Sequence, residues 1–242
     1  MLGITVNVMA VGRPKPAAHE TSTATSRRHT LRLYDYPASA NCYKARLLLA
    51  LLEREYERVE VDIFAGETLT PAYAALNPAR ETPVLELEDG QLLTQSNAIL
   101  WYLAEETPYL PHDPLARAHV AQWLFFEQER VMNGIGSARF RILTGRNPEV
   151  VPARLELGRS ALEMLAGRLA DRAFLVGDSC TIADLANFAY THVAGDAGYD
   201  LAGYPAVERW LARIAALPRF MDDLVTYPAN ARAGQSQSIY DA

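Results

Sequence analysis

From Leu31 onward the apolar and polar positions fall into a regular order. LRLYDY reads as a short strand, and after a PASAN turn CYKARLLLALLERE carries the apolar density of a buried helix. Val59, Val61 and Ile63 alternate with Glu60 and Asp62, the period-2 pattern of a second strand with one apolar face. A helical stretch at LTPAYAALN, a strand PVLELE, a turn at Asp89-Gly90, a strand QLLT and a helix from Ser96 to Glu105 follow. The Asp-Gly pair predicts a hairpin, because such a tight turn needs positive φ angles. The resulting β-α-β-α-β-β-α order predicts a sheet with helices packed on it.

After ETPYLPHDP the strand signals stop. Pro108, Pro111 and Pro114 mark the boundary, since proline ends helices and fixes extended linkers. Four helical segments come next: LARAHVAQWLFFEQERVMNGI, PARLELGRSALEMLAGRLAD, TIADLANFAYTHVA and AVERWLARIAALPRF. The expected fold class is therefore an α/β unit over residues 30–107 and an all-α unit over residues 114–226. A tail, 227–242, has Tyr227, Ile239 and Tyr240 as anchors with which to drape near the cleft between the units.

Composition narrows the function. The chain has 242 residues, half of them hydrophobic, and a net charge of −6. Residues 1–29 carry Arg13, Lys15, Arg27 and Arg28 against Glu20, a net +3, which leaves −9 on the remainder. That leader is rich in Pro, Ser, Thr and Ala and reads as a disordered extension, because it offers little apolar surface to offset ordering entropy. An acidic body argues against binding nucleic acid or an anionic membrane, which Lys and Arg drive. No run approaches the roughly 18 apolar residues of a membrane span. Two cysteines, Cys42 and Cys180, make neither a disulfide framework nor a zinc cluster, so a reducing, cytoplasmic compartment is expected. The five histidines show no metal spacing. His119 is expected to be satisfied by packing and a hydrogen bond, and Gly134-Ile-Gly136 lacks the strand and third glycine of a dinucleotide loop.

Three short polar segments carry candidate chemistry. Tyr36-Pro-Ala-Ser-Ala-Asn-Cys-Tyr-Lys44 places Ser39 and Asn41 at a helix start, where unpaired N–H groups and a partial positive charge stabilise an anion. Ordinary helix capping accounts for the same two residues. Asn77-Pro-Ala-Arg-Glu-Thr82-Pro83-Val84-Leu85 puts a proline at a strand entry, leaving neighbouring backbone groups to pair with a bound peptide or simply to begin the strand. Gln95-Ser96-Asn97 opens another helix and suits a carboxylate, although Ser96 also fits a cap. Further on, Gly177-Asp-Ser-Cys-Thr-Ile-Ala-Asp184 has the spacing of a capping box built on Thr181 and Asp184.

In this order the segments resemble the cytosolic glutathione transferase family, over roughly residues 31–220. The resemblance implies a thioredoxin-like domain followed by a helical domain, glutathione as co-substrate, and a homodimer working in detoxification. Ser39 is implied as the thiolate-stabilising residue with Asn41 assisting, and Pro83, after Thr82, as a cis-proline. Val84 is implied to exchange backbone hydrogen bonds with the cysteinyl residue of glutathione. Gln95 and Ser96 are implied to hold the γ-glutamyl carboxylate, with Arg80 a candidate for the glycyl carboxylate. The partner substrate is then an apolar electrophile held between the domains. Gln95 stands where family members often have Glu, and Arg80-Glu81 where Gly-Lys is usual. Cys42 is the rival to Ser39, since some branches run thiol-disulfide exchange from a cysteine near this turn; inward packing is its expected role. Tyr34, Tyr36 and Tyr43 are expected in the core or a pocket wall, and Glu127, Gln128, Arg139 and Arg141 border a second-substrate pocket or a solvated face. A disulfide or peroxide reductase and a non-catalytic glutathione-binding module are the alternatives.

Overall fold

The computed structural model describes residues 30–241. The expected disordered leader falls outside them. Four strands, β1 (Arg32–Asp35), β2 (Glu57–Glu60), β3 (Val84–Glu86) and β4 (Leu92–Thr94), form one sheet in the order β2-β1-β3-β4. β1 and β2 run parallel with Arg32 opposite Glu57, while β3 is antiparallel to both β1 and β4. Helices α1 (Ala40–Leu51), α2 (Pro71–Leu76) and α3 (Ser96–Ala104) complete the β-α-β-α-β-β-α order. The parallel pair needs a crossover, and α1 supplies it.

The second strand is shorter than its alternation predicts. It ends at Glu60, and Val61 and Ile63 lie beyond it. The last link is the Val61 N–H to the Asp35 carbonyl, after which the Asp62 carboxylate accepts the Phe64 and Ala65 N–H groups and turns the chain away. Val61 still packs inward, against Tyr73 and Val84.

The second half is all helical: α4 (Pro114–Phe126), a π-helical stretch Glu127–Gly136, α5 (Ser137–Thr144), α6 (Val151–Leu169), α7 (Ile182–Thr191) and α8 (Pro205–Ala215). α4, the π stretch and α5 follow one another without a break, so the helix expected to stop at Ile135 continues to Thr144. One apolar cluster joins the halves, running from Leu47 and Leu48 of α1 through Ile99 and Leu124 to Leu185 of α7. Truncating any of these leucines to alanine removes on the order of 2–5 kcal/mol.

Glycine in the π stretch serves close packing. A Cβ on Gly134 would lie 2.5 Å from the Gly158 nitrogen, so the π stretch and α6 touch backbone to backbone. The capping box at α7 is present, as its spacing predicts. The Asp184 carboxylate also accepts the Leu175 N–H and the Trp210 indole N–H, tying three segments together.

The tail folds back over the molecule. The Gln237 N–H donates to the Phe64 carbonyl, the Ala233 N–H to the Thr144 carbonyl and the Asn230 amide to Asp62. Arg146, itself buried, holds Asp241, Ser236 and the Ala231 carbonyl.

Candidate active site

A cleft of about 400 Å³ separates the sheet domain from the helices. Ser39, Asn41, Thr82 and Gln95 line one wall, Met132, Phe140 and Arg141 the other, and Tyr227 and Tyr240 of the tail join them. The chain thus brings Ser39, Asn41, Thr82 and Gln95, four of the eight residues implied to bind glutathione, to one place, with Tyr36, Gln128 and Arg141 beside them.

Ser39 is the N-cap of α1, its Oγ accepting the Cys42 N–H at 3.3 Å. Capping and facing the cleft are therefore compatible. With that lone pair engaged, the hydroxyl proton is left to donate to an anion at the helix terminus.

Asn41 is oriented from below. Lys44 and Glu127 form an ion pair at 2.7 Å with neither side chain exposed. Lys44 Nζ also donates to Ser96 Oγ and to Asn97 Oδ1, each at 3.3 Å. The Ser96 hydroxyl, accepting from the ammonium, donates in turn to Asn41 Oδ1 at 3.1 Å. That leaves the Asn41 NH₂ as a donor toward the cleft. Burial lowers the Lys44 pKa and Glu127 opposes the fall.

Ser96 corrects two expectations. It neither caps α3, whose N-cap is Gln95, nor lines the cleft, because its buried hydroxyl links Lys44 to Asn41. Gln95 itself is exposed, lines the cleft and has φ +68, a left-handed backbone in an L-residue. Non-glycine residues held there cost of order 1–3 kcal/mol and cluster at ligand clamps.

The Thr82–Pro83 peptide is cis. Val84 is fully buried, with Tyr34 of β1 on one side and Thr94 of β4 on the other. Its backbone therefore faces strands, not the cleft, and the residue at the cleft is Thr82, outside the ladder that begins at Val84. Arg80, with φ +58, is half-buried and does not line the cleft, whereas Glu81 does.

Cys42 packs inward, fully buried, its Sγ accepting the Tyr36 N–H at 3.4 Å. Burial pushes its thiol up to about 11, the reverse of an activated cysteine. Tyr36 lines the cleft while its buried hydroxyl lacks a partner among the described residues. Tyr43 lies in the core and donates to the Met221 carbonyl at 2.7 Å. Among the described residues no three His, Cys, Asp or Glu side chains are placed to hold a metal ion.

Of the helical candidates, Glu127 and Arg139 are buried, the latter paired with Asp196 at 2.8 Å, so neither is a solvated face. His119 is exposed rather than packed, with Nδ1 3.3 Å from Gln122 Oε1. Sequence reasoning missed Met132, Asn133, Ser137 and Arg154 as cleft residues. The spacing 132, 133, 136, 137, 140, 141 is one helix face, and that stripe was the available signal.

The profile for the glutathione S-transferase N-terminal domain matches residues 38–106, and that for the C-terminal domain matches residues 117–218. The chain belongs to the glutathione S-transferase family. It is 32% identical over 212 residues to a maleylacetoacetate isomerase of Pseudomonas aeruginosa, spanning 83% of this chain and 97% of that one. To the disulfide-bond oxidoreductase YfcG of Escherichia coli it is 30% identical, over 77% of this chain and 90% of that one. The solved glutathione S-transferase from Xanthobacter autotrophicus Py2 superposes with a TM-score of 0.76 at 41% identity, covering 80% of this chain and 97% of that one. Glutathione is the co-substrate after which the glutathione S-transferases are named. The cleft fits such a tripeptide, offering a helix N-terminus, hydroxyl and amide donors, and free backbone at Thr82 beside the strand entry.

Proposed function

We propose that this protein is a glutathione transferase that ionises the glutathione thiol at Ser39 and directs the thiolate at a small electrophile. The position of Ser39 carries the reading: its hydroxyl caps α1 and faces the cleft, while Cys42 beside it is buried.

A free thiol titrates near 8.5, so lowering it by about two units requires about 2.7 kcal/mol. One hydrogen bond to a charged sulfur contributes about 1.5–3 kcal/mol, and a helix N-terminus about 0.3–1 kcal/mol more. Ser39, Asn41 and α1 together suffice. The thiol proton leaves to water, Thr82 backbone and Gln95 hold the peptide, and the sulfur lone pair attacks an electrophilic carbon. A leaving group departs with its bonding pair, or the π pair of an alkene takes up a proton. Catalysis rests on ionisation and proximity, with no covalent enzyme intermediate.

Similarity to an oxidoreductase supports a second reading, in which the same bound thiolate attacks a disulfide. The burial of Cys42 argues that such chemistry would also run through glutathione rather than the protein's own thiol.

We further infer a homodimer. Leu92, Tyr102 and Phe125 are exposed, Phe125 by 74%. An apolar groove of about 390 Å³ between α3 and α4, lined by Trp101, Leu124 and Phe125, lies beside Gln95 and Gln128 of the cleft. Two buried free cysteines fit a reducing cytoplasm.

The test is Ser39→Ala, read by ultraviolet thiolate absorbance of bound glutathione against pH. The expected result is an apparent thiol pKa raised by about one to two units and kcat lowered about 10- to 100-fold. An unchanged titration and unchanged kcat would overturn the assignment.

A further inference from the structure

The helical wall of the cleft carries two cations that the transferase reading does not use. Arg141 of α5 and Arg154 in the first turn of α6 both line it. Among the described residues neither side chain forms an ion pair. Arg141 uses one terminal nitrogen on the Ser137 hydroxyl at 2.6 Å and on the Ser137 carbonyl, and its buried Nε has no partner. No hydrogen bond is formed by the Arg154 guanidinium among the described residues. Burial and the neighbouring Arg154 charge both push the Arg141 guanidinium down from its ordinary value, and Glu149 offsets this only at a distance.

Position makes the arrangement stranger still. The N-terminal turn of a helix has a partial positive charge, so Arg154 stands at the unfavourable end of α6. Two like charges that line one cleft, neither of them paired with a carboxylate among the described residues, are both stabilised by an anion between them. The lining residue that carries a carboxylate, Glu81, comes from the opposite wall and pairs with neither arginine. On the arginines' own side of the cleft Met132, Phe140 and Tyr190 also line it and suit an apolar body.

We propose that Arg141 and Arg154 form a carboxylate-binding end of the second-substrate compartment, and that the electrophile is an acid: an activated alkene with an apolar body and a carboxylate. This rests on the transferase reading and replaces the purely apolar electrophile expected from the family resemblance. In the reaction the thiolate sulfur bonds to the alkene carbon β to a ketone. The π pair moves to the ketone oxygen as an enolate, and a proton from water restores the ketone. The carboxylate stays unchanged, held by the arginines, and fixes which alkene carbon meets the sulfur.

The same chemistry would recognise the glycyl carboxylate of glutathione, and the experiment separates the two. Arg141→Gln and Arg154→Gln are each assayed with trans-3-benzoylacrylic acid and with its methyl ester, each rate taken over the uncatalysed addition. The expected result is a loss of about tenfold or more in kcat/KM for the acid, little change for the ester and an unchanged KM for glutathione. Equal losses on acid and ester, or a raised KM for glutathione with both, would overturn the proposal. Calorimetric binding of 3-benzoylpropionate, the saturated analogue that cannot react, reads the subsite without turnover. Binding weakened about tenfold in each variant upholds the subsite even if wild type conjugates neither alkene, which would refute the transferase reading alone; unchanged binding refutes the subsite. Arg141→Lys and Arg154→Lys, which keep the charge, should retain most of the binding and exclude misfolding as the cause.

Discussion

Replacing Glu127 by glutamine isolates the charge beneath the site. Glu127 and Lys44 lie 2.7 Å apart with both side chains fully buried, one from each domain. Glutamine keeps the shape and can still accept a hydrogen bond, but it leaves the Lys44 ammonium facing neutral groups alone: the glutamine itself, Ser96, Asn97 and the Tyr190 ring. Breaking a buried pair from one side costs about 3–5 kcal/mol, because the remaining charge stays desolvated. For a protein of this size that lowers Tm by roughly 6–20 °C. The loss should also depend on pH. Burial lowers the Lys44 pKa and Glu127 raises it, so in Glu127→Gln burial acts with less opposition and the folded-state pKa falls further. Between that value and the unfolded lysine pKa near 10.4, the unfolded state binds more protons, and stability rises with pH. Urea unfolding followed by tryptophan fluorescence should therefore show a deficit that narrows as pH rises from neutrality toward the folded-state pKa of Lys44 in the wild type. The double variant Lys44→Met/Glu127→Met, which removes both charges, should recover at least half of it. A deficit below about 1 kcal/mol, the range of an exposed pair, or one that widens with pH, would refute the assignment of a desolvated charge held by its partner.

Three further outcomes are expected. Gly136→Ala should destabilise by about 1–3 kcal/mol, since its Cβ would lie 2.5 Å from the Tyr190 ring, whereas Gly167→Ala on α6, with nothing within 4 Å, should stabilise by up to about 1 kcal/mol; urea midpoints that shift alike would show that the packing argument is wrong. Deleting residues 227–242 should lower Tm by about 4–8 °C, for about 2 kcal/mol of lost packing, and raise KM for the electrophile more than for glutathione. Sedimentation of Phe125→Asp should give a monomer; a persisting dimer would move the interface elsewhere.

Local chemistry was legible, and juxtaposition was not. The β-α-β-α-β-β-α order follows from periodicities that each need only a short window, and the Asp89-Gly90 turn and the Thr181–Asp184 box follow from spacing alone. Ser39, Asn41, Thr82 and Gln95 reach the cleft because strand ends and helix starts converge there. Lys44 and Glu127, by contrast, each look like an ordinary charge on a helix, and only the docking of α1 against the π stretch buries them together. Ser96 departs from its expected cap for the same reason: a serine at a helix start fits a cap, and nothing nearby in the chain reveals the lysine that claims its oxygen. Val84 lies two residues too deep, since Thr82, before the cis-proline, and not the first residue of the ladder, keeps its backbone free. The second strand is shorter than its pattern because Val61 and Ile63 keep the alternation for packing after pairing has ended.

The tail has a bearing on biosynthesis. The wall begun by Tyr36 and Ser39 is finished by Tyr227 and Tyr240, near opposite ends of the described chain. The sheet domain leaves the ribosome early, with Ser39, Asn41, Thr82 and Gln95 all on its own segments. The cleft closes only after residue 240 has emerged, looped back across both domains and docked at Phe64 and Thr144. On the proposed function, a nascent chain passes through a stage able to hold glutathione before it is able to choose what glutathione attacks.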